Sequence, residues 1–182
     1  MTTDSSPTEP AKSVSTRHHT EWPKVTWVFA DPGRILMFGL GSGLFRPGAG
    51  TWGTLLAWLL WNVASPGAMG DSSIAIFLVF CFVYGCWASD RVGKQLGVSD
   101  HVGIVWDEMV AFWLVLWLVP DSLVAQGIGF VLFRFFDIVK PAPIRQVDAR
   151  LKGGLGVMTD DILAAGYTLL VMAILVHLGV PI

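Results

Sequence analysis

Apolar residues gather into five runs along the chain, at roughly 51–65, 73–89, 109–120, 122–133 and 162–180, and no Lys or Arg falls inside any of them. The breaks are polar or rich in Gly and Pro: "SPGAMGD" at 65–71, "SDRVGKQLGVSDHVG" at 89–103, Pro120-Asp121, and the long stretch 134–161. Such runs predict an all-α, multihelical integral membrane protein with about four to five hydrophobic helices. A straight span needs about 20 apolar residues. The third and fourth runs are short against that length, and a tight helical hairpin that does not fully cross is the alternative for them.

Composition sharpens the picture. Hydrophobic residues make up 53% of the 182 residues and charged ones 14%, against about 25% charged in ordinary soluble domains. Mean hydropathy is +0.60. A net charge of −2 offers no electrostatic case for nucleic acid. Residues 1–24 are rich in Ser, Thr and Pro and lack an apolar signal core, so they are expected to form a disordered tail ahead of a single membrane domain, 25–182. His18 and His19 fall in that tail and are expected to be solvated. Cys81 and Cys86 share one apolar run and are expected as buried thiols rather than a disulfide.

Threading the five runs through a bilayer places all twelve basic residues on one side. Lys12, Arg17, Lys24, Arg34 and Arg46 precede the first run, Arg91 and Lys94 follow the second, and Arg134, Lys140, Arg145, Arg150 and Lys152 follow the fourth. The positive-inside bias makes that side the cytoplasm. The opposite turns carry only Asp71 and Asp121, so the polar chemistry is expected on the cytoplasmic face.

Four polar stretches lie there. In "GLGSGLFRPGAGTWGTL" (39–55), glycines let backbone N–H groups approach an anion, Thr51 is placed to cap the following helix, and Arg46 adds a charged donor. Gly48, Gly50, Thr51 and Gly53 are therefore candidates for phosphate with Arg46; a plain Gly-rich turn is the competing reading. In "SDHVGIVWDEMVAFW" (99–113), Asp107 and Glu108 suit a helix N-terminus, yet adjacent acids at a membrane boundary are costly without a partner, and hard oxygen ligands suit Mg²⁺. In "FRFFDIVKPAPIRQVDAR" (133–150), Arg134, Asp137 and Lys140 recur at three-residue spacing on a helix, Pro141 and Pro143 end it, and Arg145 and Asp148 repeat the spacing beyond. Local salt bridges explain that pattern as well as a phosphate-plus-metal site does. In "KGGLGVMTDDILAAG" (152–166), Asp160 and Asp161 open the last run, as N-caps or as a metal-ligand pair.

No Cys-based phosphatase loop and no G-x-S-x-G nucleophile motif is present, and His101 is expected to be structural. Metal-assisted phosphoryl transfer remains. The candidate metal set is Asp107, Glu108, Asp137, Asp160 and Asp161. The candidate phosphate set is Arg134, Lys140 and Arg145 with the Gly-rich loop.

Four quoted motifs, "GSGLFRPGAGTWGTL", "GVSDHVGIVWDEMVAFW", "FRFFDIVKPAPIRQVDA" and "GGLGVMTDDILAAG", resemble those of the phosphatidylglycerophosphatase A family, in that family's order and spacing, from about residue 34 onward. One departure is that the family loop often reads Pro-Gly-Thr where this chain reads Pro47-Gly48-Ala49-Gly50-Thr51. The resemblance implies a multihelical, Mg²⁺-dependent phosphatase of the bacterial inner membrane. Such an enzyme removes the terminal phosphate of phosphatidylglycerophosphate to give phosphatidylglycerol and inorganic phosphate. Membrane lipids are the other expected partners, and self-association is left open. A CDP-alcohol phosphotransferase would need a D-G-x-x-A-R string, which is absent. A non-catalytic membrane subunit, with its charges used for docking, is the alternative from another class.

Overall fold

The structure is a computed structural model and describes residues 22–64, 66, 69–98 and 100–182, with the side chains of 148 and 149 outside that description. Among the described residues all regular structure is helical: α1 (Val25–Val28), α2 (Pro32–Met37), a 3-10 segment (Gly39–Leu44), α3 (Ala49–Ala64), α4 (Asp71–Leu96), α5 (Trp106–Leu118), α6 (Leu123–Val139), α7 (Ile144–Arg150) and α8 (Gly153–His177). The five apolar runs correspond to α3, α4, α5, α6 and α8. Of these, α4 with 26 residues and α8 with 25 are long and apolar enough to cross a membrane. That is fewer than the four to five expected. At about 1.5 Å per residue, α3, α5 and α6, of 16, 13 and 17 residues, fall short of a hydrocarbon core about 30 Å thick.

The ends of the helices follow local chemistry. Asp31 caps α2 by accepting from the Arg34 N–H, and Pro32 fills the first turn, where a missing N–H does no harm. Ser122 caps α6 in the same way, accepting from the Ala125 N–H. Helix α4 stops at Gly97, which takes the left-handed conformation at φ 72°. Helix α6 stops at Lys140, also left-handed, just ahead of Pro141.

Helix α8 is the hub, packing on α4, α5, α6 and α7, while α3 leans on α5 and the 3-10 segment. The core is apolar and aromatic, with Phe112, Phe133, Met109 and Met158 fully enclosed. Glycine permits the closest helix approach: a Cβ on Gly154 of α8 would lie 1.8 Å from the Cys86 carbonyl oxygen of α4. The outside is apolar too. Ile76 is 71% and Phe80 68% exposed on one flank of α4, beside exposed Val79 and Val83. Water-facing patches of that kind are rare in soluble monomers. Cys81 and Cys86 are both free thiols, as expected.

Successive long helices alternate in direction, which sorts the polar residues to the two ends. One end carries Gly50 of α3 against Glu108 of α5 and Arg134 of α6, and Asp160 of α8 against Lys140. The other end is tied by neutral or single-charge contacts: Trp117 Nε1 donates to Asp71, and Asn62 donates to Gln126.

Residues 1–21, most of the stretch expected as a tail, lie outside the described residues, and His18 and His19 with them. Of the stretch expected as a tail, Trp22 is described and packs on the body. Its ring meets that of His101 edge-on at 5.5 Å.

Candidate active site

The polar end opens into one cleft of about 790 Å³, within the usual range for small-molecule sites. Three helix termini and one helix interior build it. The start of α5 supplies Asp107 and Glu108, the end of α6 supplies Asp137 and Lys140, the start of α3 supplies Gly48 to Gly50, and α8 supplies Asp160 and Asp161 from about two turns inside. The 3-10 segment holds the walls together. Gly43 lies so close to the next loop that a Cβ would fall 2.1 Å from the Gly103 carbonyl oxygen. The Val105 N–H donates to the Met37 carbonyl at 2.9 Å, fixing the strand of chain that leads into α5.

At the floor, one carboxylate oxygen from each of Asp107, Glu108 and Asp161 lies within 4.8 Å of the others. Asp107 Oδ1, Glu108 Oε2 and Asp161 Oδ2 are buried and accept no hydrogen bond. Buried carboxylate oxygens without donors are costly. Burial first, and then the charge of Glu108, push the Asp107 carboxyl well above the usual carboxylate range. Burial and the nearby Asp137 push Glu108 up to about 7, although Arg134 pulls the other way. Three acids this close cannot all stay ionised without a positive partner. Their donor set fits a hard divalent cation such as Mg²⁺, which takes carboxylate oxygens and keeps part of its water shell.

The other two expected metal ligands are engaged elsewhere. Arg134 Nη1 pairs with Asp137 Oδ2 at 2.8 Å and approaches Glu108 Oε1 at 3.6 Å. Lys140 Nζ is ion-paired with Asp160 Oδ2. All four of these side chains are largely buried. Arg134 keeps its Nε buried with no hydrogen-bond partner, and it does not line the cleft itself but lies behind Gly50 and Glu108. The local salt-bridge reading of 133–150 is therefore realised for Arg134 and Asp137, whereas Lys140 reaches across to Asp160 of α8. Phe133 is fully buried, whereas Phe135 is exposed and Phe136 rests on Tyr167 at 5.4 Å.

Several expectations need revision. Thr51 does not cap α3. The helix begins at Ala49, the Gly48 carbonyl accepts from the Thr51 N–H at 2.9 Å, and Gly48 takes φ +77°. The first N–H groups without an intrahelical acceptor are therefore those of Ala49 and Gly50, beside the acids. Gly53 does not line the cleft; a Cβ there would meet Val105 at 2.6 Å, so it is a packing glycine. Thr51 is likewise absent from the lining. Asp160 and Asp161 do not open α8 as caps, because that helix starts at Gly153. Arg145 is exposed on α7 and does not line the cleft. Asp148 lies among the side chains outside the description. Gly48, Gly50 and Arg46 do line it.

Sequence reasoning passed over Asp100 and Trp22, which also line the cleft. Asp100 precedes His101 within the polar stretch 99–103, and that position was the one signal the sequence carried for it. His101 is fully enclosed, and its Nδ1 accepts from the Gly103 N–H at 3.0 Å, as a structural histidine does.

Comparison with known proteins shows the family. The family model described as phosphatidylglycerophosphatase A matches residues 35–176. The chain is 44% identical over 144 residues to phosphatidylglycerophosphatase A of Haemophilus influenzae, covering 78% of this chain and 87% of that one. It is 35% identical over 147 residues to the Escherichia coli protein of the same name, covering 80% and 84%. A Bacteroides thetaiotaomicron protein, named only provisionally as a phosphatidylinositol-3-phosphatase, is 37% identical over 146 residues, covering 75% and 88%. No solved structure matches the chain significantly. With residues 35–176 matched, a range that spans the acidic floor, the chain belongs to the phosphatidylglycerophosphatase A family.

Proposed function

We propose that the protein hydrolyses phosphatidylglycerophosphate to phosphatidylglycerol and inorganic phosphate, as an Mg²⁺-dependent enzyme of the bacterial inner membrane. The observation that carries this reading is the floor of the cleft, where Asp107, Glu108 and Asp161 converge with unpartnered buried oxygens next to Arg134. These three acids would hold the cation. When bound, it would supply positive charge against the phosphate oxygens and lower the cost of negative charge built up in the transition state.

The chain's own groups account for the rest. The first N–H groups of α3 would bind oxygens of the terminal phosphate, with the positive charge of Arg134 close behind Gly50 and Glu108. Asp137 and Asp160 orient Arg134 and Lys140 by ion pairs, and a fixed cation acts on a developing charge without reorganising. In the reaction the bond from phosphorus to the glycerol oxygen breaks and the oxygen of a water forms the new bond. One water proton goes to the leaving glycerol oxygen and the other stays with the released phosphate.

The membrane reading rests on α4, α8 and the apolar exterior. In it, α4 and α8 cross the bilayer and the remaining helices pack beside them. The cleft faces the cytoplasm, where the basic residues gather. A lipid phosphate then reaches the acids from the membrane edge while its chains stay among the exposed apolar side chains.

Purified protein in detergent with phosphatidylglycerophosphate tests the proposal. Phosphate release is expected with Mg²⁺, loss is expected with excess EDTA, and recovery is expected when Mg²⁺ is returned. Full turnover in EDTA would overturn the metal assignment. Preference for a phosphoinositide in direct competition would overturn the substrate.

A further inference from the structure

The substrate proposed above carries two phosphates: the terminal monoester that is cleaved and the phosphodiester that joins the headgroup to the lipid. The acidic floor accounts for the first only. Resting on that proposal, we infer that Arg46, held on the indole of Trp22, binds the phosphodiester and so selects lipids that carry one.

Three observations place Arg46 in that role. The first is its charge state within the cleft. Of the cations at the site, Arg134 is engaged by Asp137 and Glu108, and Lys140 by Asp160. Arg46 lines the same cleft and, among the described residues, pairs with no carboxylate. Six carboxylates line that cleft: Asp100, Asp107, Glu108, Asp137, Asp160 and Asp161. A second anionic group entering with the substrate needs a cation that these acids have not already neutralised.

The second is how the guanidinium is held. Its central carbon lies 4.1 Å from the centroid of the Trp22 ring, a cation–π geometry. Trp22 is in turn anchored edge-on to the buried ring of His101. An arginine stacked this way keeps its N–H edges free for oxygen, and its flat face loses little by desolvation. The arrangement confines a long, exposed side chain before any ligand arrives, which lowers the ordering cost of binding.

The third is position along the path a lipid would take. The segment Phe45–Gly50 runs from the apolar exterior to the acidic floor. Phe45 and Trp52 are exposed and pack together at 5.8 Å, as aromatic residues do at a membrane interface. Gly50 touches Glu108 and Arg134 at the floor. Arg46 lies between these two ends, as the phosphodiester lies between the acyl chains and the terminal phosphate.

The product, phosphatidylglycerol, keeps the phosphodiester and has lost the monoester. Inorganic phosphate has the opposite character. Inhibition by each therefore reads one half of the site. Arg46→Gln is expected to raise KM for phosphatidylglycerophosphate about tenfold or more, with the loss falling on KM rather than kcat. It should weaken inhibition by phosphatidylglycerol in mixed micelles by a similar factor and leave inhibition by inorganic phosphate unchanged. Trp22→Ala should give the same pattern in weaker form, and Trp22→Phe, which keeps an aromatic platform, should recover most of it. Weakened phosphate inhibition with unchanged phosphatidylglycerol inhibition would assign Arg46 to the terminal phosphate and overturn the inference. Unchanged KM and unchanged inhibition by both would overturn it as well. If the wild-type protein releases no phosphate from phosphatidylglycerophosphate, the proposed function fails first, and this inference falls with it.

Discussion

Replacing Gly50 with alanine tests the site at its tightest point. An added Cβ would lie 2.1 Å from Glu108 Oε1 and 3.0 Å from both terminal nitrogens of Arg134. The helix backbone at residue 50 is right-handed, so alanine is acceptable there as a conformation and only space forbids it. Glu108 must then move by roughly 1 Å or more to regain ordinary contact. Because the atoms that clash are the far ends of side chains, the fold can yield at modest cost, within the 1–3 kcal/mol usual for overpacking. The site cannot yield so cheaply, because Glu108 is one of three acids confined within 4.8 Å. A misplacement of about 1 Å at a reacting centre costs about a hundredfold, or about 2.7 kcal/mol of transition-state stabilisation. The expected result for Gly50→Ala is a hundredfold loss of phosphate release from phosphatidylglycerophosphate, with little change in melting temperature. Gly166→Ala is the control, since its Cβ would meet nothing within 4 Å on α8; it should keep full activity. A Gly50→Ala enzyme that is folded and works at the wild-type rate would refute the placement of Glu108 in the site.

Gly154→Ala should act in the opposite manner. Its Cβ would strike the backbone carbonyl of Cys86 at 1.8 Å, so α4 and α8 must part, and the melting temperature in detergent should fall by about 5–10 °C; an unchanged value would contradict the α4–α8 packing. Asp161→Asn should abolish Mg²⁺-supported turnover at any metal concentration, whereas Asp137→Asn, which removes the ion pair to Arg134 and touches the acid trio only through its charge, should lose rate while still responding to Mg²⁺; matching metal-titration curves for the two variants would undo that distinction. For orientation, a reporter fused after residue 70 should report the periplasm and one after residue 97 the cytoplasm, and the reverse pattern would invert the assigned topology.

The helices were legible because burial within lipid or core demands unbroken apolar runs, and the chain supplies five. Their ends were less so. Helix α4 continues past residue 89 through Asp90, Arg91 and Lys94, because Lys94 pairs with Asp90 one turn away and Arg91 pairs with Asp31 at 2.9 Å. Charges that look like a loop in sequence are, in space, the polar end of a helix. Helix α8 begins at Gly153 for a related reason. A Gly-rich start reads as a turn, but here Gly154 buys close contact with α4, and Gly156 lies against Leu151. That early start carries Asp160 and Asp161 into the helix interior, where the capping reading cannot apply. Trp22 lay beyond reach because a lone aromatic beside a polar tail carries no periodicity; only the ring of His101 shows what it is for.

The site residues were recognisable as a set, and their division of labour was not. Asp107, Glu108, Asp137, Asp160 and Asp161 look alike in sequence, each next to an apolar run and each within a few residues of a cation or another acid. Three-dimensional pairing separates them. Arg134 and Lys140 are each matched by an acid of their own, Asp137 and Asp160, leaving Asp107, Glu108 and Asp161 with buried oxygens that accept nothing. Only Arg134 reaches the trio, at 3.6 Å from Glu108 Oε1, and its closer partner is Asp137. Because Lys140 is taken by Asp160 and Arg134 is shared between Asp137 and Glu108, the trio keeps surplus negative charge, which on the proposed reading a divalent ion would balance. The same pairing keeps Arg134 fixed behind the wall of the cleft. On the proposed reading, a cleft lined by six carboxylates receives a phosphate only with the help of a bound cation. Removing the metal should therefore weaken phosphate binding itself, and not the chemical step alone.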